Sequence, residues 1–449
     1  MSEKIGFVTE PEKKIPVICE ADVAVIGGGC TGVMAAVRAA RLGAKVVIIE
    51  KSNRFGGVAT NGLVNVWHSL LDSDRKEQII GGLTDEVEQM LLRDGAAVVE
   101  NSDNAGIRFN PNRLTLAFDR LVSAENVKIY FHTNYCSVLT CPDDPTRIDC
   151  VLVENKDGRG AVRAGFFIDA SGDGDLCRDL GLPSYRNRLP QPPSSCSFLQ
   201  DAPGSPFDIG EVVRAHGDEF GLEDDWGWGG ILPGLDSLLF RADNHVFGLD
   251  CSKADELTAA EIEGRRRSAA VSDMLKKYVD SRYELANIAS AIGVRDTVHY
   301  KTGYTVTEED LLSGKKFEHT VMRGTYRVDV HHIEDNGITF RYLDGREETQ
   351  YGKETRIVRT DWRAARGLTG EAPKYYCAPW EMLVQDRIGN LIPVGRMINA
   401  DENAFGALRV MVNLNQLGEA AGAGAVAALD GQTPVWKVDG GTVCRSLGL

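Results

Sequence analysis

Apolar residues gather into two short unbroken runs near the N-terminus, Asp22-Val-Ala-Val-Ile-Gly27 and Lys45-Val-Val-Ile-Ile-Glu50. Runs of this length, rich in β-branched residues and edged by glycine, predict strands covered on both faces, as in a parallel sheet. Between them Met34, Ala35, Val37, Ala39 and Leu42 recur at helical spacing until Gly43 ends the helix. The unit reads strand, helix, strand. Further on, residues 84–94 and 111–124 predict helices, the second opened by Asn110-Pro111 as cap and first-turn proline. Strand-like alternation follows at 127–131, 135–140, 147–154 and 160–169, with Asn155-Lys-Asp157-Gly158 as a hairpin turn between the last two. Near the C-terminus, Asn390 to Arg396 reads as a strand, and an Ala/Gly-rich helix runs from Gly418 to Leu429.

The middle of the chain has a different texture. Prolines 183, 190, 192, 193, 203 and 206 form a link, and residues 208–375 read as a separate block. Thr258-x-x-Glu261 has the form of a capping box, opening a helix to about Val279. Its apolar residues, Ala270, Met274, Tyr278 and Leu275, Val279, sit at four-residue spacing, which is core packing. Thr307-x-x-Asp310 begins another short helix, and 285–294, 298–306, 319–333 and 337–343 are strand candidates.

Composition narrows the function classes. The 449 residues are 43% hydrophobic and 26% charged, enough for a large core, and carry a net charge of −15. That charge argues against nucleic acid or an anionic membrane surface, both of which need clustered positive charge. The one dense basic run, Arg265-Arg266-Arg267, reads as a solvated helix face. No stretch has the roughly 18 apolar residues of a membrane span, and the first residues lack an apolar signal core, so a cytoplasmic location is expected. None of the 10 cysteines forms a CxxC pair and no Cys/His cluster has zinc spacing, so no metal site is expected. Cys136 and Cys141 read as ordinary thiols.

The nucleotide end carries the strongest motif. Gly27-Gly-Gly29-Cys30-Thr31-Gly32 is a GxGxxG between the first strand and its helix. Gly27 suits the tight turn, Gly29 close backbone approach, and Gly32 helix-to-strand packing. The helix start then offers free N–H groups to a pyrophosphate, and Glu50, ending the second strand, is placed for ribose hydroxyls. The fold class expected is α/β: a Rossmann-type nucleotide-binding domain, discontinuous over 15–185 and 376–449, with a parallel sheet plus β-meander and an inserted α+β substrate domain over 186–375.

Three further stretches separate FAD from NAD. Lys51-Ser-Asn-Arg54-Phe-Gly56-Gly57-Val-Ala-Thr60-Asn61-Gly62 is an Arg-x-Gly-Gly run, Phe166 to Asp175 contains Asp169-Ala-Ser171-Gly172-Asp-Gly-Asp175, and Gly406-Ala-Leu408-Arg409-Val410 precedes Gly418-Glu419-Ala-Ala-Gly422. Together they resemble the FAD-dependent oxidoreductase family of glutathione-reductase-type flavoproteins with a GG doublet. The resemblance implies FAD, held by Gly27, Gly29, Cys30, Thr31, Gly32, Glu50, Lys51, Arg54, Gly56, Gly57, Thr60, Asn61, Ser171, Gly172, Asp175, Gly395, Asp401, Gly406, Leu408, Arg409 and Val410. His68 lies where some related flavoproteins attach the flavin covalently, though nothing else in the sequence supports that bond.

Candidates for catalysis lie in the middle block. His331 and His332 end a strand-like stretch and point to opposite faces; His331 is favoured because Asp329 shares its face. Arg295 matches a family position rich in arginines, and Arg327 lies on the same stretch as His331. Thr297-Val-His299 stands where relatives are more basic, which counts against an anionic substrate. Glu381 either binds a sugar hydroxyl or faces solvent, and Trp226 and Trp228 suit either a sugar-stacking lid or a packed loop. These features predict an enzyme that moves a hydride between a small organic molecule, best a secondary alcohol of a sugar or polyol, and flavin N5, with an unidentified electron acceptor. A reductase of an activated C=C bond and a non-catalytic flavin-binding protein are the alternatives; a homo-oligomer is compatible with the chain.

Overall fold

The computed structural model describes residues 6–100, 106–188, 190–200, 208–222, 227–332, 334–351 and 356–449, the Asp243 side chain excepted. Strand β1 (Val17–Ile26) runs into helix α1 (Cys30–Arg41) and returns as β2 (Val46–Ile49). The last four residues of β1 and all of β2 are buried, as expected of a sheet covered on both faces. The sheet has the order 127–130, 46–49, 17–26, 158–169, 144–155, 134–141. Its first four strands are parallel, and the last two continue as an antiparallel meander. Leu391–Pro393 then adds parallel to 158–169, so the chain comes back to its first sheet some 220 residues later. The Asn155–Gly158 turn and the Asn110 cap, whose side chain accepts from the Asn112 N–H, form as the sequence predicts.

The helix Met411–Asp430 lies along α1, and two glycines make that approach close. A Cβ on Gly418 would stand 2.3 Å from the Thr31 carbonyl oxygen, and one on Gly422 would stand 2.4 Å from that of Ala35. The two sit one turn apart, so any larger residue at either would push the helices apart. Deeper in this interface the Glu419 carboxylate is buried and pairs with Arg38.

The middle of the chain forms two antiparallel four-stranded sheets. One joins 228–232, 235–245, 194–200 and 284–288; the other joins 328–331, 337–341, 346–351 and 356–361. Helix Ala254–Tyr278 covers the first, burying Ala270, Val271, Met274 and Leu275 against Leu199 and Tyr283. Short pairs, 184–185 with 299–300 and 320–324 with 376–379, stitch this region to the flanking chain.

Several element expectations need correction. The long helix starts at Ala254, with Lys253 at its N-cap, so Thr258 lies inside it and its hydroxyl donates to the Ala254 carbonyl. The Glu261 carboxylate instead accepts the Ile292 N–H. The stretch 319–333 is not one strand: it breaks at residues 325–327 because its two halves pair with different sheets. Strand 285–294 ends at Ile288, and of 298–306 His299–Tyr300 forms a short strand while Val306 makes a single bridge to Ala400. The Thr307–Asp310 capping box forms in full.

Candidate functional site

Both α1 and the helix Met411–Asp430 begin without a side-chain cap, and both begin at the wall of one cavity of about 1300 Å³. Each start leaves backbone N–H groups without an intrahelical partner and carries the positive end of a helix dipole. Around α1 the geometry is set by glycines. Gly27 takes φ +104°, and a Cβ there would stand 2.3 Å from the Ala170 carbonyl oxygen; one on Gly32 would stand 1.9 Å from that of Gly27. Gly29 differs: a Cβ there meets nothing within 4 Å, because its backbone faces the open cavity.

The second glycine pair is pinned onto the first loop. The Gly56 N–H donates to the Gly28 carbonyl at 2.8 Å, and the Cys30 thiol reaches the Gly56 carbonyl at 3.4 Å. Burial pushes that thiol up to about 12, so it stays protonated. The Glu50 carboxylate accepts the N–H of Gly28 at 2.6 Å and of Ser52 at 2.7 Å, which holds it at the cavity edge. On the opposite side Asp169 is fully buried and gathers the Leu176 N–H, the Cys177 N–H and the Ser171 hydroxyl, shaping the turn that carries Ser171, Gly172 and Asp175. Sequence reasoning missed this organising role for Asp169. Two uncapped helix starts, a bare backbone face and a carboxylate at the strand end suit an elongated ligand with a pyrophosphate in its middle.

The far wall is polar and comes from the break at 325–327 and the strand after it. Tyr326, Arg327, Asp329 and His331 line the cavity with Arg295 and Arg409. His331 Nε2 lies 3.1 Å from Asp329 Oδ1, and the Tyr326 hydroxyl donates to Asp329 Oδ2 at 2.5 Å. Arg409 Nη2 approaches the same Oδ2 at 3.5 Å. Burial alone would raise the Asp329 carboxyl, but the positive charges of Arg409 and Arg327 act against it and the carboxyl lies well below the usual carboxylate range. Burial lowers the His331 imidazole, and Asp329 does not fully offset it, with Arg295 and Arg409 pushing the same way, so the ring is neutral at pH 7. Arg327 stacks on Phe340 at 3.6 Å and donates to the Tyr342 hydroxyl at 2.7 Å; Arg295 donates to the Pro192 carbonyl at 2.7 Å. His68 lines the cavity with its ring stacked on Tyr326, centroids 4.0 Å apart.

Of the residues expected to hold the cofactor, Gly27, Gly29, Cys30, Thr31, Glu50, Lys51, Gly56, Gly57, Asn61, Ser171, Gly172, Asp175, Gly395, Arg409 and Val410 line this cavity. The others do not. Gly32 lies under Gly27, Arg54 donates to Asn53, and the Thr60 hydroxyl is spent on the Phe55 carbonyl. Asp401 caps the helix Glu402–Leu408 through the Ala404 N–H, and Leu408 is fully buried. Gly406 acts at one remove: a Cβ there would stand 2.4 Å from the Asp329 carbonyl oxygen, so its bareness lets that helix seat the strand of Asp329 and His331. His332 turns away, bonded to Asp335 and Thr339. Glu381 is paired with His319 outside the cavity, which removes the sugar-binding role considered for it. Trp228 is at the cavity wall, while Trp226 lies outside the described residues.

Among the described residues no group of three or more His, Cys, Asp or Glu side chains could hold a metal ion, and no helix is long and apolar enough to cross a membrane. None of the 10 cysteines is in a disulfide.

No curated protein matches the chain. Among solved structures it is similar to a geranylgeranyl bacteriochlorophyll reductase-like protein of Thermoplasma acidophilum, at 11% identity over 96% of this chain and 83% of that one, TM-score 0.48. A myxobacterial chondrochloren halogenase gives 12% identity over 95% and 79%, TM-score 0.47. A probable FAD-dependent monooxygenase of Pseudomonas aeruginosa gives 16% identity over 96% and 92%, TM-score 0.40. Likenesses this distant say nothing about the reaction. The family model is decisive: described as FAD dependent oxidoreductase, it matches residues 22–447, and the chain belongs to that family, with FAD as its cofactor.

Proposed function

We propose that the chain is a dehydrogenase of the glutathione-reductase-type flavoproteins, oxidising a secondary alcohol on a small molecule such as a sugar or polyol. Bound FAD supplies the hydride acceptor, its N5. The N–H groups at the start of α1, with Gly29 bare before them, hold the pyrophosphate; Glu50 takes the ribose hydroxyls. The start of the helix Met411–Asp430, with Arg409 beside it, would stabilise negative charge on the reduced flavin. His331 Nε2 takes the hydroxyl proton as the hydride leaves the carbon, and Asp329 stabilises the imidazolium that results. Tyr326 and Arg409 keep Asp329 ionised and in place, and Arg295 and Arg327 orient the substrate.

The observation that carries this reading is His331, a neutral imidazole 3.1 Å from a buried carboxylate in the cavity wall. The test is anaerobic mixing of the yellow protein with sugars, polyols and hydroxy acids while flavin absorbance is followed. Bleaching by one of them is expected. A second reading, reduction of a C=C bond beside a carboxylate, is favoured by the three arginines of the wall, Arg295, Arg327 and Arg409. It takes over if no alcohol bleaches the flavin and chemically reduced protein is reoxidised by an unsaturated acid.

A further inference from the structure

His331 makes its well-formed hydrogen bond away from the cavity. Its Nδ1 lies 2.8 Å from Nε2 of His245, a residue at the end of strand Leu235–His245 in the other middle sheet. His245 is 3% exposed, does not line the cavity, and stacks on Phe247 with centroids 5.6 Å apart. On the opposite edge of the His331 ring the contact is different. Asp329 Oδ1 is at ion-pair distance from Nε2, yet it lies outside hydrogen-bond geometry and has no hydrogen-bond partner. Asp329 Oδ2, by contrast, is held by Tyr326 and approached by Arg409.

We propose that His245 is a positioning residue: its Nε2 accepts the His331 Nδ1–H, which fixes His331, a residue of the cavity wall, in the tautomer whose Nε2 is bare. A neutral imidazole has one N–H, so the partner that takes it decides which nitrogen is the base. Besides His245, the charged and titratable groups around His331 among the described residues are Asp329, Tyr326, Arg295 and Arg409. Of these Asp329 alone competes for the proton, and it does so from a poor direction. The inference rests on His331 being the base, but it is tested without substrate.

The experiment uses the FAD-loaded protein with ¹⁵N-labelled histidine, and the His331 signals are assigned by their loss in His331→Asn. Nitrogen shifts distinguish the two tautomers directly. In wild type a protonated Nδ1 and a bare Nε2 are expected. His245→Gln, whose amide oxygen can take the same hydrogen bond, should preserve that pattern. His245→Phe, which keeps a ring but no acceptor, should move the proton to Nε2 with full flavin content. With any alcohol that bleaches the flavin, His245→Phe should slow flavin reduction about 10-fold or more and His245→Gln should recover most of the loss. A wild-type spectrum with the proton on Nε2 overturns the proposal, and so does an unchanged His331 tautomer in His245→Phe. Absence of any bleaching alcohol would tell against the dehydrogenase reading and leave the tautomer result standing.

Discussion

Replacing Gly29 by valine separates fold from cofactor binding more sharply than any other change. Gly29 sits at φ −61°, ψ 174°, an extended conformation open to any residue, and its Cβ would meet nothing within 4 Å. In the apoprotein two small effects oppose each other. Removing a glycine restricts the unfolded chain and stabilises by about 0.4–1 kcal/mol, while valine is a poorer N-cap than glycine by a similar amount. Apoprotein stability should therefore stay within about 1 kcal/mol of wild type. FAD binding should not. The new methyl groups occupy the space where the pyrophosphate meets bare backbone, and overpacking of this kind costs about 1–3 kcal/mol. At 1.4 kcal/mol per factor of ten, the Kd for FAD rises roughly 5- to 150-fold. Gly32→Ala is the counterpart, since its Cβ would stand 1.9 Å from the Gly27 carbonyl oxygen, which is backbone and cannot step aside. That variant should lose apoprotein stability itself. FAD titration of apoprotein and thermal unfolding of both variants read the two effects separately. Wild-type FAD affinity in Gly29→Val would refute the reasoning, as would an apoprotein of Gly32→Ala as stable as wild type.

Other changes follow from the same geometry. Glu50→Arg removes the acceptor for Gly28 and Ser52 and should purify colourless; retained stoichiometric flavin would contradict the placement of the ribose. Glu419→Ala leaves Arg38 and the Leu83 N–H without their buried partner, and denaturant unfolding should show a loss of about 3–5 kcal/mol. His331 has a folded pKa below its unfolded value of about 6.5. Its contribution to stability is therefore complete above about pH 6.5 and is lost as pH falls through the window down to the folded value. As a base it should work undiminished at neutral pH, with flavin reduction slowing only on the acid side; a rate that climbs through pH 7–8 would argue for a different base. His332→Ala should leave flavin content and reduction rate unchanged, because that ring is engaged with Asp335 and Thr339.

The nucleotide end was legible because its chemistry is local. Strand, glycine loop, helix, strand and Glu50 are contiguous, and each glycine has a steric reason the spacing already encodes. The Gly418-Glu419-Ala-Ala-Gly422 run was read as an Ala/Gly-rich helix, but its purpose is tertiary: the two glycines admit the backbone of α1. Residues such as Asp401 and Leu408 sat inside a recognisable motif yet support it from behind, one as a helix cap and the other as core. A motif cannot say which of its members touch the ligand. The middle block was harder because its strands pair across long separations. Strand alternation alone put His331 and Asp329 on one face. It carried no trace of His245, which lies 86 residues away and reaches His331 from a different sheet. The single strand read over 319–333 likewise hid the turn that aims Tyr326 and Arg327 into the cavity, since the change of pairing partner leaves little mark on local hydrophobicity.

The most direct measurement is the rate of anaerobic flavin reduction in His331→Asn against wild type, with both proteins carrying equal FAD and mixed with the alcohol that bleaches the wild type. General-base catalysis contributes about 10²- to 10⁴-fold, so the variant should keep its yellow colour and reduce slower by that factor. Equal rates in the two proteins would contradict the assignment of His331 as the base, and with it the dehydrogenase built on that wall of the cavity.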